Sequence, residues 1–236
     1  MIISWFSCGI TSTVATKIVL HQYKDVRIVY INTGSEHPDS MRFLHDCESW
    51  FGQKIEVYSS HRYKSHFDVI ERKRCINTPF GAPCTLELKK KVRWSLEDSF
   101  GEWDGQVFGY DISERKRAQR FTEQNPKAKA IFPLIESGLS KEDCLSLVRK
   151  AGIEQPAMYR LGFHNNNCVG CVKGGRGYWT KIKKCFPEVY ERMARIEREL
   201  GHTCIKGVFL DEMKPVDTPP LVESCSLFCD PDFLDL

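Results

Sequence analysis

The sequence predicts an α/β fold in which a parallel sheet is flanked by helices and followed by a helical C-terminal appendage. Short apolar runs alternate with segments of helical periodicity up to residue 136. That alternation is typical of parallel strands joined by right-handed helical crossovers. After residue 136 the strand-like runs stop, and helical segments surround a stretch rich in Asn, Cys and Gly at 164–177. We therefore expect one domain over 1–136 and a second, helical region over 137–236.

The individual elements follow from periodicity and from residues that begin or end helices. Pro38 and Asp39 open a helical pattern after the second apolar run, and three prolines make the tail from Lys214 irregular. The predicted strands are 2–7, 26–31, 54–58, 106–110 and 130–134. The predicted helices are 11–21, 37–50, 87–100, 113–121, 140–151, 178–184 and 187–200.

Composition indicates an ordinary globular chain and leaves its partners open. The 236 residues carry a formal net charge of +3, which is too small to indicate nucleic-acid binding, although basic stretches at 89–93 and 115–117 would suit phosphates. No apolar run is long enough to cross a membrane and no secretion leader is evident, so we expect a cytoplasmic protein without a membrane partner. Eleven cysteines in a reducing compartment favour metal ligation or thiol chemistry over disulfides.

The turn after the first strand, S-C-G-I-T-S at 7–12, is a candidate phosphate-binding loop. Small residues between a strand and a helix expose backbone N–H groups to an anion, and ligands of open parallel sheets bind at the carboxyl ends of strands. Ser7 and Ser12 add hydroxyl donors, while Gly9 lets a phosphate approach the backbone. The alternative is a tight connection that happens to be rich in small residues.

Four segments, in order, resemble the PP-loop adenine nucleotide alpha-hydrolase superfamily, and especially its phosphoadenosine phosphosulfate (PAPS) reductase branch. Residues 7–12 resemble the loop S-G-G-x-D-S, and N-T-G-S-E-H-P-D at 32–39 resembles D-T-G-x-x-x-P-E. C-T-L-E-L-K at 84–89 resembles C-C-x-x-x-K, and G-Y-D-I-S-E-R at 109–115 resembles G-x-R-x-D-E-S. The resemblance implies a Rossmann-like (HUP-type) fold whose domain 1–136 binds ATP or a related adenine nucleotide.

The resemblance also implies roles for particular residues. Lys89 and Arg115 would offset negative charge during catalysis, because cationic side chains stabilise charge that develops on phosphates. Thr11 and Asn32 stand where the family usually has two acidic residues, so magnesium is retained only as an optional cofactor. The residues expected to bind the nucleotide are Ser7, Cys8, Gly9, Thr11, Ser12, Asn32, Thr33, Gly34, Arg117 and Arg120.

Cysteine spacing points to a metal centre. Cys168 and Cys171 form a C-x-x-C pair that can bind one metal or cluster from a single turn. With Cys84 they resemble the ligand arrangement of iron–sulfur sulfonucleotide reductases, which implies a [4Fe-4S] cluster. A structural zinc site or reduced buried cysteines are the alternatives. Thr85 replaces the family's second cysteine, so the fourth ligand is absent or comes from the tail.

The tail offers two candidate cysteines. Cys229 is expected as the fourth metal ligand, and Cys225, within E-S-C-S-L, faintly echoes the nucleophilic cysteine of sulfonucleotide reductases. A cluster with three cysteines would instead leave one iron open for an exogenous sulfur atom. The other six cysteines are interpreted as small core residues: Cys8, Cys47, Cys75, Cys144, Cys185 and Cys204.

Three functions are compatible with these residues. The preferred interpretation is an ATP-using enzyme that adenylylates an acceptor and transfers sulfur with the help of the cluster. The first alternative is a PAPS or APS (sulfonucleotide) reductase, and the second is a weakly catalytic nucleotide sensor or nucleic-acid-binding module. The acceptor is unidentified, with nucleic acid among the options. A sulfur or electron donor is implied, and a homodimer is one option for assembly.

Overall fold

The computed structural model describes residues 1–79 and 81–222. Five strands form one parallel sheet in the order β3-β2-β1-β4-β5, and helices flank it. β1 is central: Ile2 pairs with Val26 of β2 on one side and with Gly105 of β4 on the other. The strands are β1 Ile2–Phe6, β2 Val26–Asn32, β3 Glu56–Ser59, β4 Gly105–Val107 and β5 Ala130–Ile131.

The helices alternate with the strands up to β5 and then continue without further strands in the described part of the chain. Among the described residues, a π-helical segment, Leu86–Lys90, and three short 3-10 turns interrupt the α-helical pattern. The α-helices are α1 Ile10–Gln22, α2 Asp39–Phe51, α3 His66–Lys73, α4 Pro83–Thr85, α5 Lys91–Phe100, α6 Arg115–Gln124, α7 Pro133–Glu136, α8 Lys141–Lys150, α9 Ala157–Arg160, α10 Arg176–Cys185 and α11 Pro187–Leu200. The predicted α/β class and helical C-terminal region are confirmed.

Differences from the predicted elements have local causes. The fifth strand ends at Ile131 because Pro133 starts helix α7 instead of continuing the ladder. The predicted helix 87–100 begins one residue earlier and as a π-helix. Helix α3 was not predicted, although Ser65 caps it by accepting the Asp68 N–H at 3.2 Å. Its apolar residues are too few in that short segment to form a clear stripe.

The described chain divides into two compact units, and each is discontinuous in sequence. Unit 1 comprises residues 1–31, 38–58 and 96–157, and unit 2 contains residues 32–37, 59–95 and those from 158 onward. Unit 1 contains most of the sheet, and α1 packs against β1, α7 and α8 there. The boundary expected after residue 136 stays a prediction.

Each unit has its own core. In unit 1 the fully buried Gln106 accepts the Trp5 indole N–H at 2.7 Å and donates to Glu97 at 2.8 Å, which satisfies a polar group inside the sheet. In unit 2, α10 packs against α11, and Trp179 and Met193 are fully buried between them and their neighbours. No helix among the described residues has the length and apolar character needed to cross a membrane.

Candidate functional site

The loop between β1 and α1 is held in shape by the Ser12 hydroxyl. Ser12 Oγ accepts the Ser7 N–H at 3.2 Å and the Ser7 hydroxyl at 3.0 Å, and it donates to the Gly9 carbonyl at 2.9 Å. Cys8 is fully buried and adopts φ +54°, a left-handed conformation that favours glycine. Cysteine adopts this backbone conformation at some conformational cost, because its Cβ atom lies close to the following carbonyl oxygen.

Gly109 lies directly behind this loop, beyond the end of β4. A Cβ atom at Gly109 would lie 2.6 Å from both Ser12 Cα and Ser12 N, and 2.9 Å from Thr11 C. These are backbone atoms, so they cannot move aside by changing rotamer. Only glycine lets the chain after β4 support the start of α1 this closely.

The segment that follows β2 forms a tight hydrogen-bonded turn. The Asn32 side chain accepts the Gly34 N–H at 2.8 Å, and Glu36 accepts the Thr33 hydroxyl at 2.7 Å and the Thr33 N–H at 3.2 Å. Gly34 has φ +68°, and a Cβ there would lie 2.0 Å from the Lys64 carbonyl oxygen. The residues predicted from N-T-G therefore occupy a conformation that a larger residue at Gly34 would disrupt.

A pocket in unit 2 gathers several of the predicted residues. Thr33 and the three predicted metal ligands contribute to its wall, together with Lys89. The complete lining is Thr33, His66, Cys84, Thr85, Leu88, Lys89, Cys168, Cys171 and Val172. We call it the thiol pocket. Within it, Thr33 Oγ1 and Cys168 Sγ are 3.3 Å apart, which joins the turn after β2 to the C-x-x-C pair.

The C-x-x-C turn is organised by one buried tyrosine. The Tyr178 hydroxyl accepts the N–H groups of Gly170 and Cys171, both at 3.0 Å, and donates to the Cys168 carbonyl at 2.7 Å. Val169 N–H donates to the Ser35 carbonyl at 2.8 Å, which ties the turn to the segment after β2. Burial raises the pKa of Tyr178 well above its usual value, so its hydroxyl keeps its proton.

The π-helical segment presents Lys89 to the same pocket, four residues after the Cys84-containing helix α4 ends. π-Helical turns place an extra residue in the helix and frequently occur at functional sites. Glu87 anchors this segment because its buried carboxylate contacts Lys73 at 2.7 Å and Lys91 at 2.8 Å. Burial by itself would raise the pKa of Glu87, but the two ammonium groups lower it.

His66 is a residue of this pocket that sequence analysis missed. Its side chain is 3% exposed, and neither ring nitrogen has a hydrogen-bond partner of good geometry among the described residues. Burial and, to a smaller extent, the charge of Arg192 lower the pKa of His66, the Gly170 backbone opposes the shift, and the resulting pKa is about 4. A neutral imidazole is thus kept at the wall of the thiol pocket. A histidine at the start of a helix has no distinctive spacing that would have revealed this role.

The predicted arginines differ in their surroundings. Arg115 and Arg120 are exposed on α6. Arg117 is half-buried, donates to Glu114 at 2.6 Å and lies over the Tyr110 ring at 4.3 Å from its centroid. Asp111 caps the preceding turn by accepting the Ser113 N–H at 2.8 Å. The G-Y-D-I-S-E-R segment therefore orients Arg117 through Glu114 and Tyr110.

The structure brings the predicted metal ligands Cys84, Cys168 and Cys171 to one pocket. Cys225 and Cys229 lie outside the described residues, so their predicted roles stay predictions. Within 1–79 and 81–222, no three His, Cys, Asp or Glu side chains are grouped so that they could hold a single metal ion.

The N-terminal part of the chain matches a known family. Residues 1–75 match the model of the phosphoadenosine phosphosulfate reductase domain. Over this segment the chain is similar to PAPS reductase domains. The matched segment contains the loop at 7–12 and the N-T-G turn, and it ends before Cys84. The predicted metal ligands Cys84, Cys168 and Cys171 thus lie outside the match.

Two curated relatives come from Methanocaldococcus jannaschii, and both are described as uncharacterized. MJ0066 is 26% identical over 208 residues, which cover 82% of this chain and 41% of that protein. MJ0973 is 20% identical over 205 residues, which cover 84% and 47%. The chain therefore spans less than half the length of these relatives.

A solved structure has the same fold. The crystal structure of phosphoadenylyl-sulfate (PAPS) reductase from Candida auris, a phosphate complex, aligns with a TM-score of 0.54 at 12% identity. The alignment covers 71% of this chain and 80% of the reductase. At this identity the similarity concerns the fold.

Proposed function

We propose that the protein is a PP-loop enzyme that binds ATP, adenylylates an acceptor and uses a cysteine-ligated iron–sulfur centre in sulfur transfer. The loop at 7–12 is proposed to bind the nucleotide phosphates, and the role of residues 32–34 in nucleotide binding stays a prediction. The observation that carries the proposal is the 3.3 Å contact between Thr33 Oγ1 and Cys168 Sγ. It joins the turn expected to bind nucleotide to the turn expected to bind metal.

The loop has the properties that phosphate binding needs. Its backbone passes from β1 into the N-terminus of α1, where N–H groups and the helix dipole favour an anion. No acidic residue occurs in the first turn of α1, so no fixed carboxylate competes with a phosphate. The match of residues 1–75 to a family named for a sulfonucleotide supports the same role.

The proposed reaction has two steps. An acceptor oxygen attacks the α-phosphorus of ATP, the bond to the β-phosphate breaks, and pyrophosphate leaves. A reduced sulfur nucleophile then forms a bond to the activated carbon of the acceptor, and AMP leaves with the oxygen. Lys89 and Arg115 are proposed to offset negative charge in the first step, since preorganised cations stabilise charge that develops on phosphates. Arg117 and Arg120 are proposed to contact the nucleotide.

The donor set of the thiol pocket suits an iron–sulfur cluster. Thiolates are the usual ligands of such clusters, and Cys84, Cys168 and Cys171 line one pocket. In a [4Fe-4S] cluster each thiolate binds a different iron, so the sulfur atoms surround the cluster and do not converge on one point. The absence of a single-ion site in the described residues therefore does not conflict with the proposal. The cluster would supply electrons or hold sulfur.

A second candidate function is sulfonucleotide reduction, and the family match favours it. In that reaction a thiolate attacks the sulfur of the sulfonucleotide, and the adenosine phosphate leaves. A thiol of an external dithiol donor then attacks the cysteine sulfur, a disulfide forms and sulfite leaves. Cys225 is the candidate nucleophile. The two functions require different nucleotides and release different products, so one set of measurements separates them.

The test is a calorimetric titration of the anaerobically purified protein with ATP, PAPS and APS, followed by product analysis. Pyrophosphate and AMP from ATP support the first function, and sulfite from PAPS or APS supports the second. Ser12→Ala removes the hydroxyl that holds the loop, and we expect it to weaken nucleotide binding about tenfold, the effect of about 1.4 kcal/mol.

Ser49→Ala is the matched control. Ser49 is an exposed helical serine of the same unit whose hydroxyl donates to the His45 carbonyl, far from the loop in sequence. Its loss should leave nucleotide affinity unchanged. Failure of the wild-type protein to bind any of the three nucleotides would refute both functions, and equal affinity of Ser12→Ala and wild type would remove the loop from the binding site.

A further inference from the structure

The imidazole of His66 is a buried polar group without a well-formed hydrogen bond. Its side chain is 3% exposed and lines the thiol pocket. Neither Nδ1 nor Nε2 has a hydrogen-bond partner of good geometry among the described residues. Buried polar side chains are normally hydrogen-bonded or bound to a metal, because an unsatisfied one is costly. The burial of this ring therefore indicates a ligand in the thiol pocket.

Ser35 fixes the start of α3 beside the C-x-x-C turn. The His66 N–H donates to the Ser35 hydroxyl at 2.8 Å, and the Val169 N–H donates to the Ser35 carbonyl at 2.8 Å. One serine therefore binds both the residue that carries the imidazole and the residue that follows Cys168. These backbone hydrogen bonds keep the base of the His66 side chain next to the turn.

The His66 ring also reaches this turn. Gly170 directly precedes Cys171 and adopts φ +83°. A Cβ atom at Gly170 would lie 3.6 Å from His66 Nε2, which is an ordinary van der Waals distance. The imidazole therefore lies against the turn that presents Cys168 and Cys171 to the pocket.

We propose that His66 is the fourth protein ligand of the iron–sulfur cluster bound by the three cysteines of the thiol pocket. The proposal rests on the metal-binding part of the proposed function, and it replaces the tail cysteine Cys229 as the fourth ligand. Thr85 stands where the resembled motif has its second cysteine, and the pocket lining supplies an imidazole in addition to three thiols. Imidazole nitrogen is a suitable ligand for iron.

A [4Fe-4S] cluster accepts such a mixed set of ligands. Each iron binds one protein ligand, so the imidazole nitrogen and the three sulfur atoms surround the cluster and need not converge on one point. The lack of a single-ion site among the described residues is therefore compatible with this arrangement. In Rieske clusters, two histidines replace two cysteines on one iron and raise the reduction potential. Ligation by His66 therefore predicts a potential less negative than that of the same cluster with four cysteines.

Pulsed electron paramagnetic resonance of the full-length chain tests the ligand directly. Wild-type protein is reconstituted anaerobically with iron and sulfide, reduced with dithionite, and prepared both unlabelled and with ¹⁵N-histidine. A nitrogen bonded to iron gives a strong hyperfine coupling, whereas a nitrogen that only donates a hydrogen bond gives a weak one. We expect a strong coupling that changes on ¹⁵N-histidine labelling. This measurement needs no substitution, so it does not depend on the folding of a variant.

Two alanine variants assign the coupling to one residue. His66→Ala should lose the strong coupling, and on mild oxidation it should lose one iron and give the signal of a [3Fe-4S] cluster. His61→Ala is the matched control, because His61 is an exposed histidine of the same unit that does not line the pocket. It should keep both the coupling and the iron. A loaded wild-type cluster without the strong histidine coupling, or an unchanged coupling in folded His66→Ala, would overturn the proposal.

His66→Cys tests the same position with a different ligand. A thiolate there should retain the fourth iron on mild oxidation, abolish the nitrogen coupling and shift the reduction potential to a more negative value. Retention of the nitrogen coupling in this variant would place the ligand elsewhere and overturn the proposal.

Nucleotide binding is measured on the same samples so that the two proposals fail separately. Wild-type protein that binds nucleotide but takes up no cluster would refute the role of His66 and leave the nucleotide site. Wild-type protein that shows the His66 coupling but binds no nucleotide would refute the proposed function and leave His66 as a cluster ligand.

Discussion

Replacing Gly109 with alanine tests whether the loop at 7–12 needs the close support that the structure gives it. The added methyl group would lie 2.6 Å from Ser12 Cα and Ser12 N. Ordinary contacts between such atoms are about 3.5–4.0 Å, so the chain after β4 and the start of α1 must separate by about 1 Å. Because Ser12 Cα and Ser12 N are backbone atoms, this shift also moves the backbone N–H groups of the loop at 7–12.

The expected cost has two parts. Overpacking of this kind reduces the free energy of unfolding by about 1–3 kcal/mol. A displacement of about 1 Å in a positioned phosphate site costs on the order of a hundredfold in turnover, and about tenfold in affinity if one charge-assisted hydrogen bond is lost. Gly109→Ala should therefore remain folded, bind ATP or PAPS about tenfold more weakly, and lose most of its activity.

Isothermal titration calorimetry with ATP and PAPS, together with thermal unfolding, measures both effects. Gly175→Ala is the control, because a Cβ at Gly175 has its nearest neighbour at 3.7 Å, the Leu221 carbonyl oxygen. Nucleotide affinity in that variant should equal that of the wild type. If Gly109→Ala bound nucleotide with unchanged affinity, the loop would not be the phosphate site, and the reasoning from this close approach would be refuted.

Three further predictions concern other parts of the chain. Burial would raise the pKa of Glu48, but hydrogen bonds from the Ile55 N–H and from the Lys54 and His45 side chains outweigh it. The pKa of Glu48 is therefore lowered from 4.5 to about 2. The Glu48 carboxylate contributes fully to the stability of the folded protein above pH 4.5, and this contribution is lost as the pH falls toward 2. Glu48→Gln should therefore reduce the free energy of unfolding at neutral pH by about 2 kcal/mol, after allowing for the exposure of Lys54, and flatten its acid dependence in urea titrations. Lys89→Met should lower turnover by about a hundredfold and leave metal content unchanged. Lys90→Met is the control, because Lys90 does not line the thiol pocket, and it should retain activity. Equal turnover in the two variants would exclude Lys89 from catalysis. The Glu197 carboxylate accepts the N–H groups of Cys204 and Leu210, and Glu197→Gln leaves only one carbonyl oxygen for both. Chemical denaturation should therefore show a free energy of unfolding lower by about 1–3 kcal/mol. A variant as stable as the wild type would contradict the role of Glu197 in holding the segment from Cys204 to Leu210.

Local patterns were sufficient for the class of fold and for much of the candidate site. Apolar runs and helical periodicity depend on neighbouring residues, so β1, α1 and β2 could be read directly from the chain. For the same reason, glycine and serine after β1 indicated a phosphate-binding loop at 7–12. The C-x-x-C spacing likewise indicated Cys168 and Cys171 as candidate metal ligands. These features lie within a few residues of one another, where short-range geometry dominates.

Local sequence patterns could not predict contacts between segments that lie far apart in the chain. Nothing near Gly109 in sequence indicates that it must support Ser12, and nothing near His66 indicates that its ring lines a pocket of cysteines. The 3.3 Å contact between Thr33 Oγ1 and Cys168 Sγ is likewise invisible in the sequence, because the two residues lie far apart along the chain.

The alternation of strands and helices, the composition of the first loop and the C-x-x-C pair are properties of the chain itself, and they were sufficient to predict an α/β nucleotide-binding fold with a cysteine site. The order of the strands and the meeting of Cys84 with the C-x-x-C turn arise only on folding. They depend on burial of apolar side chains between segments far apart in sequence. That driving force is non-directional, so sequence spacing alone does not determine which segments meet.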